Sequence, residues 1–563
     1  MSRYHRLLPH AAVFVASIAG SPSIAQVPPT PAADTKPIAC DEFAGLSIPA
    51  SVTPQATSGA KVTSVAAQPA SGTGAKAVGA FCRVLVEIAS VDPKAPPIKV
   101  EVNFPERWNG KALMYGGGGY NGVILSTSGT LRLQPPDVPI PLARGFVTFG
   151  GDSGHEGANR GDFALNEEAL RNYAFDALKK TRDVAAHLIK LRYGRPHEKL
   201  YFHGSSNGGK EALGLIQRYP DDLDGAMVFW PATNIGTAHL QFGRIARAFA
   251  APGAYLSMSQ RKVVLDAALE TCDELDGIRD GVISNARACQ QTFDPDKATV
   301  NGRPLRCLEG AVDRDSCLSD VQIGALKVMG SPLKLDAPLA SGEKGYPGFY
   351  VWGVDLGSQE TDDLAKGVLA QGLGKVAPAY PAAPGMPFLH AFADQYARFF
   401  VTRNPQGSWQ NIDPEKPGEW QERLSMLAGL LDMSGTNLSS FQNRGGKILL
   451  MHGLADQIVP PQASVDYYER LVATMGNQAV SQFLRFYELP GTAHSGFGIS
   501  FNPSWDTLGA LDAWAAGGVP PTTPVMTDTH FKPGRTRPLC EYPSYPRYQG
   551  GDPDRATSFT CER

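Results

Sequence analysis

Residues Lys199 to Leu213 read K-L-Y-F-H-G-S-S-N-G-G-K-E-A-L. Within this stretch, Gly204-Ser205-Ser206-Asn207-Gly208 places glycine two residues before and two residues after Ser206. That spacing suits a nucleophile on a sharp strand-to-helix turn, where small neighbours let the strand, the helix and an adjacent loop come close. The turn lifts the hydroxyl above the sheet edge and aims the backbone N–H of Asn207 at a developing oxyanion. Ser205 competes for the role but lacks the two flanking glycines. The bland alternative is a glycine-rich loop without chemistry; a preceding strand and a following helix argue against it.

A serine hydroxyl needs a base, and the base needs an orienting acid. In chain order the acid follows the serine and the histidine comes last. Asp456 lies just past the apolar run Lys447 to Gly453, K-I-L-L-M-H-G, and His494 lies just past Phe483 to Pro490. Both positions fall beyond the carboxyl end of a predicted strand, where ligand and catalytic groups collect in open α/β sheets. The competing roles are a helix N-cap for Asp456 and an ordinary polar loop residue for His494. His203 and His452 precede their turns and read as packing residues. A second oxyanion donor is expected in Gly116-Gly117-Gly118-Gly119, after the short strand Lys111 to Tyr115. No G-x-x-x-x-G-K-[ST] pattern accompanies those glycines, which disfavours a nucleotide site.

The elements that would hold these residues alternate. Phe81 to Phe104, Lys111 to Tyr115, Gly145 to Phe149 and Lys199 to Phe202 read as strands, and Leu170 to Tyr193 and Lys210 to Gln217 as helices. The alternation predicts an α/β fold with a mostly parallel sheet and helices on its faces. It stops near Trp230 and returns at Lys447 to His452, Ser464 to Met475 and Phe483 to Leu489. Residues 231–440 are expected to form an inserted lid domain, with 26–230 and 441–563 as the two parts of the sheet domain. Aromatic residues Phe349, Tyr350 and Trp352 cluster in the insertion, and Trp352 is a candidate substrate wall, although such residues more often belong to a core.

The chain has 563 residues, too many for one simple core, and a formal charge of -3 that gives no hint of a nucleic-acid partner. Arg3 and Arg6, the apolar stretch Ala11 to Ala19 and Ser23-Ile24-Ala25 read as a signal peptide over residues 1–25, so a secreted or periplasmic protein is expected. The apolar run is too short to span a bilayer. Residues 26–39 read as a flexible mature N-terminus. The eight cysteines are Cys40, Cys82, Cys272, Cys289, Cys307, Cys317, Cys540 and Cys561, falling in four local groups of two. In an exported chain they predict local disulfides. Asp273, Asp276 and Asp280 lie close together with Gly277 and Gly281. Hard oxygen donors on a tight turn suit Ca²⁺, although the spacing is not that of an EF-hand; the bland alternative is a solvated acidic turn.

Further motifs carry a family resemblance. They are Trp108-Asn109-Gly110, the G-x-S-x-G-G segment, Thr271-Cys272-Asp273 through Asn285, Cys289 with Phe293-Asp294-Pro295, Tyr467-Tyr468-Glu469-Arg470-Leu471, Arg537-Pro538-Leu539-Cys540 and Tyr542-Pro543. Over nearly all of the mature chain, the sequence resembles the tannase and feruloyl esterase family, which also contains a hydrolase of mono(hydroxyethyl) terephthalate. The resemblance implies an α/β-hydrolase fold with an inserted lid and hydrolysis of esters of aromatic acids, with a small-molecule ester as partner. It implies Gly119 and Asn207 as oxyanion donors. It also implies a structural Ca²⁺ held by the side chains of Asp273, Asp276 and Asp280 and the carbonyls of Ile278 and Val282, and the pairings Cys40–Cys82, Cys272–Cys289, Cys307–Cys317 and Cys540–Cys561. The sequence departs from the family at Ser205 and Ser495, where the family has two cysteines that pair. Alternatives are a terephthalate monoester hydrolase, an acyltransferase in which an alcohol replaces water, and a calcium-dependent binding protein on a degenerate hydrolase fold, which an intact triad disfavours.

Overall fold

The computed structural model describes residues 36–310, 315–358, 372–494 and 496–563. The predicted signal peptide and Ser495 lie outside them. Ten strands build the central sheet: β1 (Ser47–Ile48), β2 (Ala60–Gln68), β3 (Phe81–Ile88), β4 (Ile98–Pro105), β5 (Lys111–Tyr115), β6 (Val147–Gly151), β7 (Lys199–Ser205), β8 (Gly225–Phe229), β9 (Lys447–Gly453) and β10 (Leu484–Leu489). Their spatial order is β1-β2-β3-β4-β6-β5-β7-β8-β9-β10. From β6 to β10 every neighbouring pair is parallel. From β1 to β4, and between β4 and β6, the pairs are antiparallel.

The sheet is therefore mixed, where the sequence predicts a mostly parallel one. β2, β3 and β4 follow one another with no intervening α-helix, only a single 3-10 turn at Gly74–Lys76, so the chain turns back on itself. In β3, F-C-R-V-L-V-E-I, side chains alternate between buried and more exposed, as expected of a sheet with one wetter face. The parallel strands are buried along most of their length. Their alternate residues enter two different cores: Met114, Phe202, Val228 and Leu450 on one side, and Leu113, Tyr201, Met227 and Leu449 on the other. The first core also takes residues of α1 (Ala177–Tyr193) and α2 (Asn207–Arg218).

After Phe229 the chain leaves the sheet, and it rejoins at Lys447. The segment between includes α3 (Ile235–Ala250), α4 (Met258–Cys272), α5 (Phe388–Gln395) and α6 (Gln421–Leu431). It builds its own core, which reaches Tyr120, Tyr173, Ile458 and Val459 on loops and helices at the sheet's edge. α7 (Pro461–Met475) and α8 (Thr507–Gly517) follow β9 and β10, and α8 packs on β8 and β9. Disulfides join Cys40 to Cys82, Cys272 to Cys289, Cys307 to Cys317 and Cys540 to Cys561, the pairings that the resemblance implies. No helix among the described residues is long and apolar enough to cross a membrane.

Candidate active site

Ser206 sits between the end of β7 and the first residue of α2, with φ 61° and ψ -123°. This left-handed, strained backbone costs energy that only the surrounding packing can hold. The packing leaves no room at the flanking positions. A Cβ on Gly204 would lie 2.0 Å from the Gly208 carbonyl oxygen, and one on Gly208 would lie 2.9 Å from the backbone of Gly116. The two glycines of the motif thus let the turn close and let the glycine-rich loop approach it. The Ser206 N–H donates to Phe229 O at 3.0 Å, tying the turn to β8.

β7, β8, β9 and β10 are parallel neighbours, so their carboxyl ends share one edge of the sheet. Ser206, Trp230, Asp456 and His494 follow those four ends in turn. Asp456 is fully buried. Its Oδ1 accepts from Ile458 N and Val459 N, both at 2.8 Å. Its Oδ2 lies 2.7 Å from His494 Nδ1. Burial opposes ionisation of Asp456, but the charge of His494 and contacts with His452 and His494 outweigh it and hold the carboxyl at about 2. An ionised carboxylate only accepts, so the His494 proton sits on Nδ1 and the Nε2 lone pair is left free to act as a base. The indole of Trp230 lies 6.0 Å from the His494 ring. Among the described residues no hydrogen bond joins Ser206 to His494; in unliganded hydrolases that bond is often long and tightens when substrate binds.

Asn207, as the first residue of α2, has no intrahelical acceptor for its N–H. Gly119 lines the same pocket as Ser206 and Asn207, so the two predicted oxyanion donors and the predicted nucleophile line one pocket. A carboxylate that the sequence reading passed over holds this arrangement. Glu211 accepts from Gly117 N at 2.9 Å and from Asn207 Nδ2 at 3.0 Å, and Asn207 Nδ2 also reaches Gly117 O at 3.2 Å. Tyr173 OH bridges Asn207 Oδ1 at 3.3 Å and Gly119 O at 3.4 Å. Burial pushes the Glu211 carboxyl up and the neighbouring Lys210 amine down, and each group's charge opposes the other's shift. The available signal was spacing: Glu211 stands four residues after Asn207, on the same helix face.

The pocket beside Ser206 is aromatic, lined by Tyr120, His239, Phe242, Tyr346, Phe388 and Phe392, and no Lys, Arg, Asp or Glu is among its described lining residues. Burial holds His239 down at about 4, so the ring is neutral. Its Nδ1 donates to Ile235 O at 2.6 Å and its Nε2 accepts from Tyr120 OH at 2.8 Å. Trp352, the predicted substrate wall, is not in this pocket. It stacks on Phe293 with ring centroids 4.6 Å apart and lines a second cavity with Phe349 and Tyr350; Tyr346 lines both cavities.

His203 is a packing residue, as expected: burial and then Arg132 push it down to about 3, and its Nε2 accepts from Arg132 N. His452 departs from the packing role, because its ring touches the Asp456 carboxylate. Ser205 is half-buried beside the turn, and its expected counterpart Ser495 lies outside the described residues.

In the acidic turn, Asp273 accepts from Gly281 N, Asp276 from Ile278 N and Ser284 N, and Asp280 from Val282 N. Burial, aided by the charge of Asp280, raises Asp273 and pushes Asp276 up to about 7. The donor type and the like-charge crowding suit a hard divalent cation. Arg537 pairs with Asp280, and no three acidic, His or Cys groups among the described residues are already gathered as a metal site. The chemistry of the turn thus fits Ca²⁺ while its side chains are turned to backbone N–H groups and Arg537.

The family model described as tannase and feruloyl esterase matches residues 82–562. An uncharacterized esterase from Agrobacterium fabrum is 36% identical, with 93% of this chain and 92% of the relative covered. The mono(2-hydroxyethyl) terephthalate hydrolase of Piscinibacter sakaiensis is 30% identical over 88% of this chain and 87% of its own. In fold, the crystal structure of feruloyl esterase B from Aspergillus oryzae superposes with a TM-score of 0.72 at 23% identity, covering 89% of this chain and 97% of that one.

Proposed function

The chain belongs to the tannase and feruloyl esterase family of carboxylic ester hydrolases, and from that premise we propose that it cleaves esters of uncharged aromatic acids through an acyl-enzyme on Ser206. Ser206 Oγ attacks the ester carbonyl while His494 Nε2 takes its proton. The oxyanion forms between the N–H groups of Asn207 and Gly119. His494 passes the proton to the leaving alcohol, and Asp456 steadies the imidazolium. Water, activated by the same imidazole, then attacks the acyl carbon and frees Ser206.

The single observation behind the substrate class is the pocket at Ser206, whose walls are aromatic and, among the described residues, carry no charged side chain. An aromatic acyl group gains burial and ring contacts there. The free carboxylate of a terephthalate monoester would enter without a counter-charge, at a desolvation cost of several kcal/mol. Export with the residue 1–25 signal removed fits the four disulfides. A structural Ca²⁺ at Asp273, Asp276 and Asp280, with the carbonyls of Ile278 and Val282, fits the donor chemistry of the turn; it takes no part in the reaction.

The test compares kcat/KM for methyl ferulate, methyl 4-hydroxybenzoate and mono(2-hydroxyethyl) terephthalate, and maps covalent fluorophosphonate label by mass spectrometry. We expect label on Ser206 and a preference of at least about tenfold, worth ~1.4 kcal/mol, for the uncharged acyl groups. Label on Ser205, or equal turnover of the terephthalate monoester, contradicts the reading.

A further inference from the structure

His452 is the last residue before the final glycine of β9 and is fully buried. Nδ1 lies 2.7 Å from Ser464 Oγ on α7. Nε2 lies 3.0 Å from Val459 O, at which its N–H is chiefly aimed, and 3.3 Å from Asp456 Oδ2. A carbonyl and a carboxylate only accept, so Nε2 carries the proton. In the neutral ring Nδ1 then accepts from the Ser464 hydroxyl, which selects this tautomer. The circuit closes on the acid, because Val459, whose carbonyl His452 holds, gives its own N–H to Asp456 Oδ1. His452 and His494 therefore face the same carboxylate oxygen from two sides.

We propose that His452 is a positioning residue for the reaction at Ser206: its Nε2–H, oriented by Ser464, fixes the Val459 carbonyl and the Asp456 carboxylate so that Oδ2 meets His494, and it moderates the negative charge that His494 feels. The proposal rests on the triad reading above. Apolar residues would fill a buried strand end without adding a polar ring that then needs partners on both nitrogens. Among the described residues two further titratable groups face the pair. Glu488 stands opposite His452 on β10 and is paired with Arg287. The phenol of Tyr346, from the insertion, lies within the field of Asp456.

The test measures kcat, KM and the pH dependence of kcat/KM with p-nitrophenyl acetate for the full chain and for His452→Leu, His452→Gln, Ser464→Ala and Ser206→Ala. For His452→Leu we expect kcat to fall roughly tenfold with KM little changed, since a hydrogen bond to a charged group is lost away from the substrate. The acid limb should move to higher pH, because a carboxylate with one donor fewer pulls harder on the His494 proton. His452→Gln keeps an N–H at similar reach and should recover part of kcat. An acid limb that stays in place or moves down overturns the proposal, whatever happens to stability. If His452→Leu does not fold, Ser464→Ala decides. It leaves the ring but frees Nδ1, and a kcat and pH profile equal to the parent overturn the proposal. Ser206→Ala separates the two levels: residual turnover equal to the parent sinks the triad itself, whereas an inactive Ser206→Ala beside an unchanged His452→Leu sinks only the role of His452.

Discussion

Asp456 is charged in a fully buried place because four neighbouring groups converge on its two oxygens: Ile458 N and Val459 N on one, His494 and His452 on the other. A carboxyl held at about 2, below its ordinary 3.8, favours the folded state above pH ~3.8 and loses that contribution only as pH falls toward 2. From neutrality down to these limits Asp456 therefore stays ionised. Asp456→Asn should therefore lower kcat by roughly 10³–10⁴ at neutral pH, because an amide can present its N–H to His494 and favour the wrong tautomer. Stopped-flow or steady-state kinetics on p-nitrophenyl acetate check this; a loss under tenfold would remove Asp456 from the acid's role. The turn at Ser206 and the meeting of Asp456 with His494 were legible because spacing and chain order constrain them strongly. His452 was not: a histidine inside an apolar strand reads as packing, and only the fold of the Leu454–Val459 loop back over the strand end brings Asp456 onto it. The place of Trp352 was not legible for a similar reason, since an aromatic cluster in sequence does not say which cavity it will line.

At the scale of elements, the strands of the parallel half were legible from their apolar runs, and the antiparallel half was misjudged. Alternation in Phe81 to Phe104 signals strands but not their direction, which depends on whether a helix or a plain loop joins them. The contact between α2 and the glycine-rich loop was invisible for a further reason: it joins residues far apart in the chain. Glu211 is the rivet in that contact, since it takes the N–H of Gly117 and the amide of Asn207. Glu211→Leu would leave the Gly117 N–H without that acceptor at a cost of about 1–3 kcal/mol, and would remove the charge that compensates buried Lys210. The expected outcome is a lower melting temperature and a lower kcat with KM nearly unchanged. Glu211→Gln should be milder in stability, because its carbonyl oxygen can still accept from Gly117. Its NH₂, however, meets the NH₂ of Asn207 unless that amide turns over and gives up its bond to Gly117 O. Circular-dichroism melts together with kcat and KM measure both effects. A Glu211→Leu enzyme with parental kcat and stability would show that the loop holds its shape without the rivet.

At the scale of the whole molecule, the insertion between β8 and β9 both walls the pocket at Ser206 and reaches across to the C-terminal strands. α3 and α5 bring His239, Phe242, Phe388 and Phe392 to the pocket at Ser206. On its other side, the acidic turn meets the C-terminal segment, where Arg537 pairs with Asp280 and Tyr548 packs against Gly277. The Cys272–Cys289 bond closes the chain around that turn, and Cys540–Cys561 closes the segment it touches. The turn thus lies in an interface that links the insertion to the rest of the protein. If Ca²⁺ binds there in the folded state alone, it stabilises that state by mass action, by about 2.7 kcal/mol at a free concentration one hundred times Kd. Calcium in millimolar excess should raise the melting temperature, and chelation should lower it, while kcat of the protein that stays folded is unchanged because no reacting atom meets the ion. Asp276→Asn removes one buried carboxylate donor and should flatten the response to calcium. Arg537→Ala acts in the opposite sense: it takes away a cation that competes for Asp280, so the melting temperature should fall without calcium and recover more than the parent's when calcium is added. Differential scanning calorimetry on the parent and both variants, with and without calcium, reads all four responses, and element analysis of the purified protein reads the bound ion. A parent that carries no calcium and melts at the same temperature in chelator and in calcium would assign the turn to Arg537 and backbone N–H groups alone.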